Sequence, residues 1–478
     1  MPDQSLYAGS AASQARRASP DTTRTDPAPG PAQPARRGSR LAWLDALRGI
    51  AALCVVYHHL GARVLPSVYH SVTRVFDPGL YGVLVFFLIS GYIVPTSLER
   101  KGDVRAFWIS RVFRLFPLFA VVIGITLVFH AAGLNTLRGV RINASATAFS
   151  EMFMLSDLLA GKNLIVVIWT LSYEMVFYLL LTALFTAGWH RLSGRYSMTF
   201  AAGALLLGGI LPTAWISYHT FGLTAVAVGA DVLTIGGLAL AVSTRGWPRM
   251  LGAWVAAITG LVLVTMNGRR FAYEGLTILA LMFAGTLLYR ARQGQVSRRT
   301  AAMVVGVVFA AVLAAGAWHI PALAPAGQAA VQQHEWVVTV ALAGLTFVAG
   351  LTLQRLHVPA GLAWLGLISY SVYLTLPLML DVYDSIPFPA SYQQLSWLQG
   401  VAAIVFVAVL LCLATCTYRL VEAPMQRLGR RVAARLEPGK HQLNRQAPEP
   451  AAPALPDQPA AAGERRLSCA VASAARHP

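Results

Sequence analysis

The chain alternates between apolar runs of about 18–25 residues and short polar joints, the pattern of membrane-crossing helices. Such runs fall near 42–62, 79–98, 115–132, 164–187, 197–217, 220–243, 249–266, 271–290, 300–318, 334–353, 361–383 and 395–420. Two of them are short or glycine-rich enough to be half-helices. The pattern therefore predicts an all-α, polytopic transmembrane bundle of about 10–12 spans. Residues 1–40 and 437–478 are rich in Pro, Ala, Arg and Ser and lack an apolar core, so both are expected to be disordered tails. A single membrane domain over 41–436 lies between them.

Composition agrees, with 56% hydrophobic and only 12% charged residues, against about a quarter charged in a soluble domain. The net charge of +18 sits in tails and loops. It reads as a topology signal rather than a nucleic-acid footprint. Arg36, Arg37 and Arg40 precede the first run, and Arg100, Lys101, Arg105, Arg111 and Arg114 follow the second. Arg427, Arg430 and Arg431 follow the last. Both termini are accordingly expected in the cytoplasm. Arg138, Arg141, Arg269 and Arg270 are exceptions that this topology puts outside. Cys54, Cys412, Cys416 and Cys469 show no disulfide or metal spacing. Asn143-Ala144-Ser145 fits a glycosylation acceptor, a triplet frequent by chance.

Ionisable side chains inside spans are costly, and this makes them functional candidates by default. The first run carries Asp45, Arg48, His58 and His59. At about 100° and 1.5 Å per residue, Arg48 and His59 lie about 20° apart around the helix and about 16 Å apart along it. Asp45 is placed to pair with Arg48. The bland alternative is a neutralised Asp–Arg pair and an interfacial histidine. Next, R-A-F-W-I-S-R-V-F-R-L-F-P predicts an amphipathic surface helix ending at Pro117. Its Arg111 and Arg114 suit an anion clamp, the alternative being a snorkelling anchor. The run around 164–187 holds Trp169, Ser172, Glu174 and Tyr178, and its glutamate needs an internal partner. A late run holds Ser369, Tyr370, Ser371, Tyr373 and Thr375, which suit helix–helix contacts. Glu422 and Pro424 close the last span, where a helix-end salt bridge is expected. Asp231 and Glu274 also fall in spans, as pore or packing residues without a motif.

Taken in order, these stretches resemble the acyltransferase-3 family of integral membrane acyltransferases. That family's arginine followed eleven positions later by histidine falls on Arg48 and His59. Its Phe-Phe-x-Ile-Ser-Gly falls on Phe86, Phe87, Ile89, Ser90 and Gly91, and its R-x-x-R on Arg111 and Arg114. Its Trp-Ser-Leu-Ser-x-Glu box falls on Trp169, Ser172 and Glu174, with threonine at position 170. Its Glu-x-Pro falls on Glu422 and Pro424. One departure stands out: Leu376 occupies the place of a late-span histidine found in many members.

The resemblance implies O-acyl transfer, most simply of acetyl, from cytoplasmic acyl-CoA to a hydroxyl of an exported glycan or glycolipid. It implies a bacterial inner-membrane location, no tightly bound cofactor, no metal, and glycan-assembly enzymes as partners. His59 and Glu174 would be catalytic, with Arg48, Arg111 and Arg114 binding acyl-CoA. Asp45, His58, Trp169, Ser172, Tyr370, Ser371 and Glu422 would support them. The competing readings are a transporter or flippase for a lipid-linked glycan, and an inactive scaffold.

Overall fold

The computed structural model describes residues 42–133, 147, 151, 153–159, 163–387 and 396–436. Both expected tails, the Asn143 triplet, Arg138 and Arg141 lie outside them. Among the described residues every regular element is a helix. The first four are α1 (Ala42–Val64), α2 (Pro66–Thr73), α3 (Pro78–Lys101) and α4 (Val104–Ala131). A turn of 3-10 helix (Val166–Ile168) then leads into α5 (Trp169–Thr186), followed by α6 (Ser193–Leu207) and the short α7 (Trp215–His219). Next come α8 (Leu223–Ser243), α9 (Trp247–Met266), α10 (Ala272–Arg292), α11 (Arg298–Leu323) and α12 (Ala329–Thr352). The chain closes with α13 (Ala360–Leu367), α14 (Ser369–Asp384), α15 (Ser396–Thr417) and α16 (Ala423–Arg435). Nine helices among the described residues are long and apolar enough to cross a bilayer, ten if α13 and α14, bent by 66°, form one broken span. Helix α1 is outside that count, and its Asp45, Arg48, His58, His59 and Arg63 are the physical reason. The chain is a multi-pass membrane protein.

Helices α3, α5 and α10 form the centre and are mostly buried. Without a hydrophobic drive between helices in lipid, close backbone approach supplies the packing. Between α3 and α10 that approach depends on glycine. A Cβ on Gly91 would fall 1.9 Å from the Met282 carbonyl oxygen, and one on Gly285 would fall 2.4 Å from that of Leu88. Helix α1 packs on α3, α13 and α14, so its polar face looks into the bundle.

Three sequence expectations change here. The surface helix and third span are one continuous helix, α4, with Pro117 inside it rather than at a turn. Proline removes a single ladder hydrogen bond, which membrane helices tolerate. The expected span over 197–217 stops at Leu207, where Gly208, Gly209 and Pro212 break it. At about 22 Å, α6 is shorter than the hydrocarbon core. Its end is sealed by buried His319, whose Nε2 lies 3.1 and 3.0 Å from the carbonyls of Ala204 and Leu205. Finally, Glu422 forms no helix-end salt bridge among the described residues. A wide π-turn over Tyr418–Glu422 directs it inward, where it accepts hydrogen bonds from Ser371 Oγ (2.8 Å) and Gln426 Nε2 (3.0 Å).

Candidate functional site: two adjoining chambers

Helices α1, α3, α4, α5 and α14 enclose a small chamber of about 80 Å³. Its polar lining includes Arg48, Ser90, Arg114, Glu174, Tyr370 and Tyr373. Arg48 Nη1 lies 3.2 Å from Asp45 Oδ1, as the i, i+3 spacing predicts. Glu174 is held through Oε1, which accepts from Ser90 Oγ (3.0 Å) and from the Tyr178 hydroxyl. Both donors come from inside the bundle, so the carboxylate has fixed partners in a span where water is scarce. Arg114 shares its electrostatic surroundings with Glu174, Glu422, Tyr178 and Tyr370. Tyr370 donates to the Leu115 carbonyl at 2.7 Å, which ties α14 to α4.

Arg111 is placed differently from Arg114. It is 6% exposed and is not among the residues lining the chamber. Its Nη2 donates to Ser97 Oγ (2.9 Å), and its guanidinium lies 5.3 Å from the ring centroids of both Phe107 and Tyr178. It stands behind the tyrosine that holds Glu174. The R-x-x-R pair therefore presents one arginine to the chamber and one to its back wall.

A second, larger chamber of about 650 Å³ adjoins the first, and Val83 and Tyr373 line both. His58, His59, Asp77, Asp157, Asn163, Trp169, Arg269 and Arg270 face it. Arg48 thus lines the smaller chamber and His59 the larger one. Asp77 caps α3, accepting from the amides of Gly79 (2.8 Å) and Leu80 (3.0 Å), a contact typically worth about 1 kcal/mol. Its Oδ1 also stands 3.1 Å from His58 Nδ1. Burial raises the Asp77 carboxyl, but His58 and the two amides outweigh it and hold the group below its ordinary value. Burial pushes Asp157 the other way, above the usual range, against the pull of Arg270, Asn163 and Arg269. The guanidinium of Arg270 lies 3.7 Å from the Trp169 ring centroid and 2.7 Å from Glu274 Oε2. Glu274 therefore has an ion-pair partner at this chamber's edge.

Several expected residues lie outside both chambers. Ser172 is fully buried and donates to the Met154 carbonyl, which fastens the 153–159 segment to α5. Ser371 is buried against Glu422, and Leu376 is fully buried in the apolar core. Asp231 is buried in α8, and neither carboxylate oxygen has a hydrogen-bond partner among the described residues. Conversely, Asp77, Asp157, Asn163, Arg269 and Arg270 face the larger chamber without having been sequence candidates. Two signals were present. Asp77-Pro78 is a helix start signal, and Arg269-Arg270 was a basic exception to the charge topology.

The family profile described as an acyltransferase domain matches residues 41–417. The chain is 30% identical over 169 residues to O-acetyltransferase OatA of Staphylococcus aureus, covering 32% of this chain and 26% of that one. It is 29% identical over 198 residues to Nodulation protein 10 of Rhizobium leguminosarum bv. viciae, covering 38% of this chain and 52% of that one. The chain thus spans about a quarter to a half of the length of these curated relatives. No solved structure matches it.

Proposed function

The chain belongs to the acyltransferase-3 family, and from that premise we propose that it is a membrane O-acyltransferase. The donor is a cytoplasmic acyl-CoA, acetyl-CoA in the simplest case, and the acceptor is a hydroxyl of an exported glycan or glycolipid. The observation that carries this reading is the pair of chambers sharing Val83 and Tyr373. Cationic groups and imidazoles stand on the two sides of that shared wall, which supports the reading. The basic termini and loops support an orientation with both ends cytoplasmic, in a bacterial inner membrane. Glycan-assembly enzymes would then supply the acceptor.

The smaller chamber, at about 80 Å³, suits the acyl end of a donor rather than its nucleotide. Arg114 and Arg48 draw the anionic donor to this end, Arg111 steadies Tyr178, and Glu174 orients the chamber's polar groups. In the larger chamber His59 takes the proton of the acceptor hydroxyl. The oxygen then forms a C–O bond to the thioester carbonyl as the C–S bond breaks. The departing thiolate takes the proton back from His59. No cofactor is required beyond the co-substrate. A placed histidine base typically contributes about 10²–10⁴-fold in rate.

The test is mass spectrometry of surface glycans from deletion, complemented and His59→Ala strains. The expected result is loss of one acyl mass in the deletion strain, restoration by the wild-type gene, and no restoration by His59→Ala at equal membrane level. Full restoration by His59→Ala would rule out the base role. Glycan movement with no acyl mass difference would favour a transporter.

A further inference from the structure

The proposed transfer gives no task to His58 or Asp77, although both face the larger chamber. Neighbouring residues on a helix point about 100° apart and do not normally face each other. Here both histidines border one cavity, and their rings meet edge to face with centroids 5.1 Å apart and planes at 90°. Something must hold that arrangement, and the holding group is visible. The carboxylate of Asp77 is fixed by the Gly79 and Leu80 amides, and its own backbone N–H donates to Thr339 Oγ1 at 2.9 Å. It is thus anchored to α3 and α12 before it meets His58 Nδ1 at 3.1 Å. A ring nitrogen facing a carboxylate donates to it, so the bond to Asp77 fixes which way the imidazole is turned.

The ring is also confined sterically. A Cβ on Gly79 would fall 2.6 Å from His58 Cγ, so this first turn of α3 leaves the imidazole its place only because it carries glycine. The Tyr69 hydroxyl lies 3.4 Å from the same Nδ1, with the ring centroids 5.8 Å apart. His59 has its backbone carbonyl bound by Arg63 Nη1 at 2.8 Å. That contact fixes the main chain and not the ring.

We propose that His58, clamped by Asp77 at the start of α3, is a positioning residue that fixes the His59 ring for proton transfer from the acceptor. The inference rests on the acyl-transfer reading with His59 as base. His58 itself neither gains nor loses a proton in the step. Its two attributes are separable: the nitrogen bonded to Asp77, and the ring packed on His59.

The experiment uses the full chain in inverted membrane vesicles, with radiolabelled acetyl-CoA added outside and label counted in the endogenous glycan. His58→Phe keeps a ring but loses the bond to Asp77. His58→Asn keeps a nitrogen near the Nδ1 position but loses the ring. Both are expected to lower the maximal rate about 10-fold or more, as loss of catalytic alignment does, with the KM for acetyl-CoA within twofold of wild type. Gly79→Ala, which displaces the ring without touching either histidine, is expected to give the same rate loss and unchanged KM. It serves as the arbiter should a His58 variant fail to insert. Wild-type maximal rates in inserted variants overturn the inference, as does a rate loss matched by an equal rise in KM. If His59→Ala is inactive while the His58 and Gly79 variants are fully active, only the positioning role falls. If His59→Ala is fully active, the base role of His59 falls and the positioning role with it, while absence of label in the wild-type vesicles would instead sink the acyl-transfer reading.

Discussion

The two chambers differ in what builds them. The smaller one is lined by residues set within helices, and its one carboxylate, Glu174, is held by two hydroxyls. The larger one, about eight times its volume, takes Asp77, Asp157, Asn163, Arg269 and Arg270 from the joints between helices. A site made of helix-borne groups has few geometries open to it and suits one repeated chemical element. A site whose rim is made of joints can change shape and charge without disturbing the bundle. Under the proposed transfer, that difference suits the first chamber to the donor common to such reactions and the second to the acceptor.

The sharpest way to break that division is to close the shared wall. Val83→Trp is expected to cut glycan labelling by at least about 10-fold while acetyl-CoA still binds, because the obstruction lies beyond the donor's end. Undiminished labelling would mean that the chambers are not used in series. A smaller effect is expected for Arg114→Gln, which should raise the KM for acetyl-CoA severalfold. An unchanged KM would remove the donor from the helical chamber. The smallest effect concerns the segment that walls the larger chamber. Glu151 is 5% exposed and its Oε1 accepts from the Leu164 amide at 3.1 Å. Burial, only partly offset by that amide, raises its pKa from 4.5 to about 7. The folded protein then holds a proton that the unfolded chain releases, so this stabilisation is full below about 4.5 and is lost as pH rises through about 7. The thermal midpoint in detergent should fall by a few degrees between pH 5 and pH 8, and Glu151→Gln should flatten that slope. A wild-type midpoint independent of pH would contradict it.

The helical class, the multi-pass character and several polar residues of the smaller chamber were readable because each leaves a mark on one helix. An apolar run has a length, and Arg48 and Glu174 are conspicuous inside one. The larger chamber was mostly hidden, since joints carry no periodicity and Asp77, Asp157 and Arg270 converge only after folding. Arg111 shows the same limit in reverse. Its spacing from Arg114 suggested a joint grip, but tertiary packing against Phe107 and Tyr178 assigned the two side chains to different surfaces. Pro117 misled through a local rule, that proline ends helices in water, which bilayer packing relaxes.

The wide turn at Tyr418–Glu422 gives the last rod of the bundle two independent azimuths. Helix α15 before it shows much of its surface to the surroundings, while α16 after it buries Gly429 and Ala433 and exposes Arg427, Arg430, Arg431 and Arg435. An unbroken α-helical phase would force one stripe to dictate the other. With the slip between them, the greasy sector and the cationic sector of a single rod are aimed separately. The residue at the slip, Glu422, is the one turned toward the protein's interior.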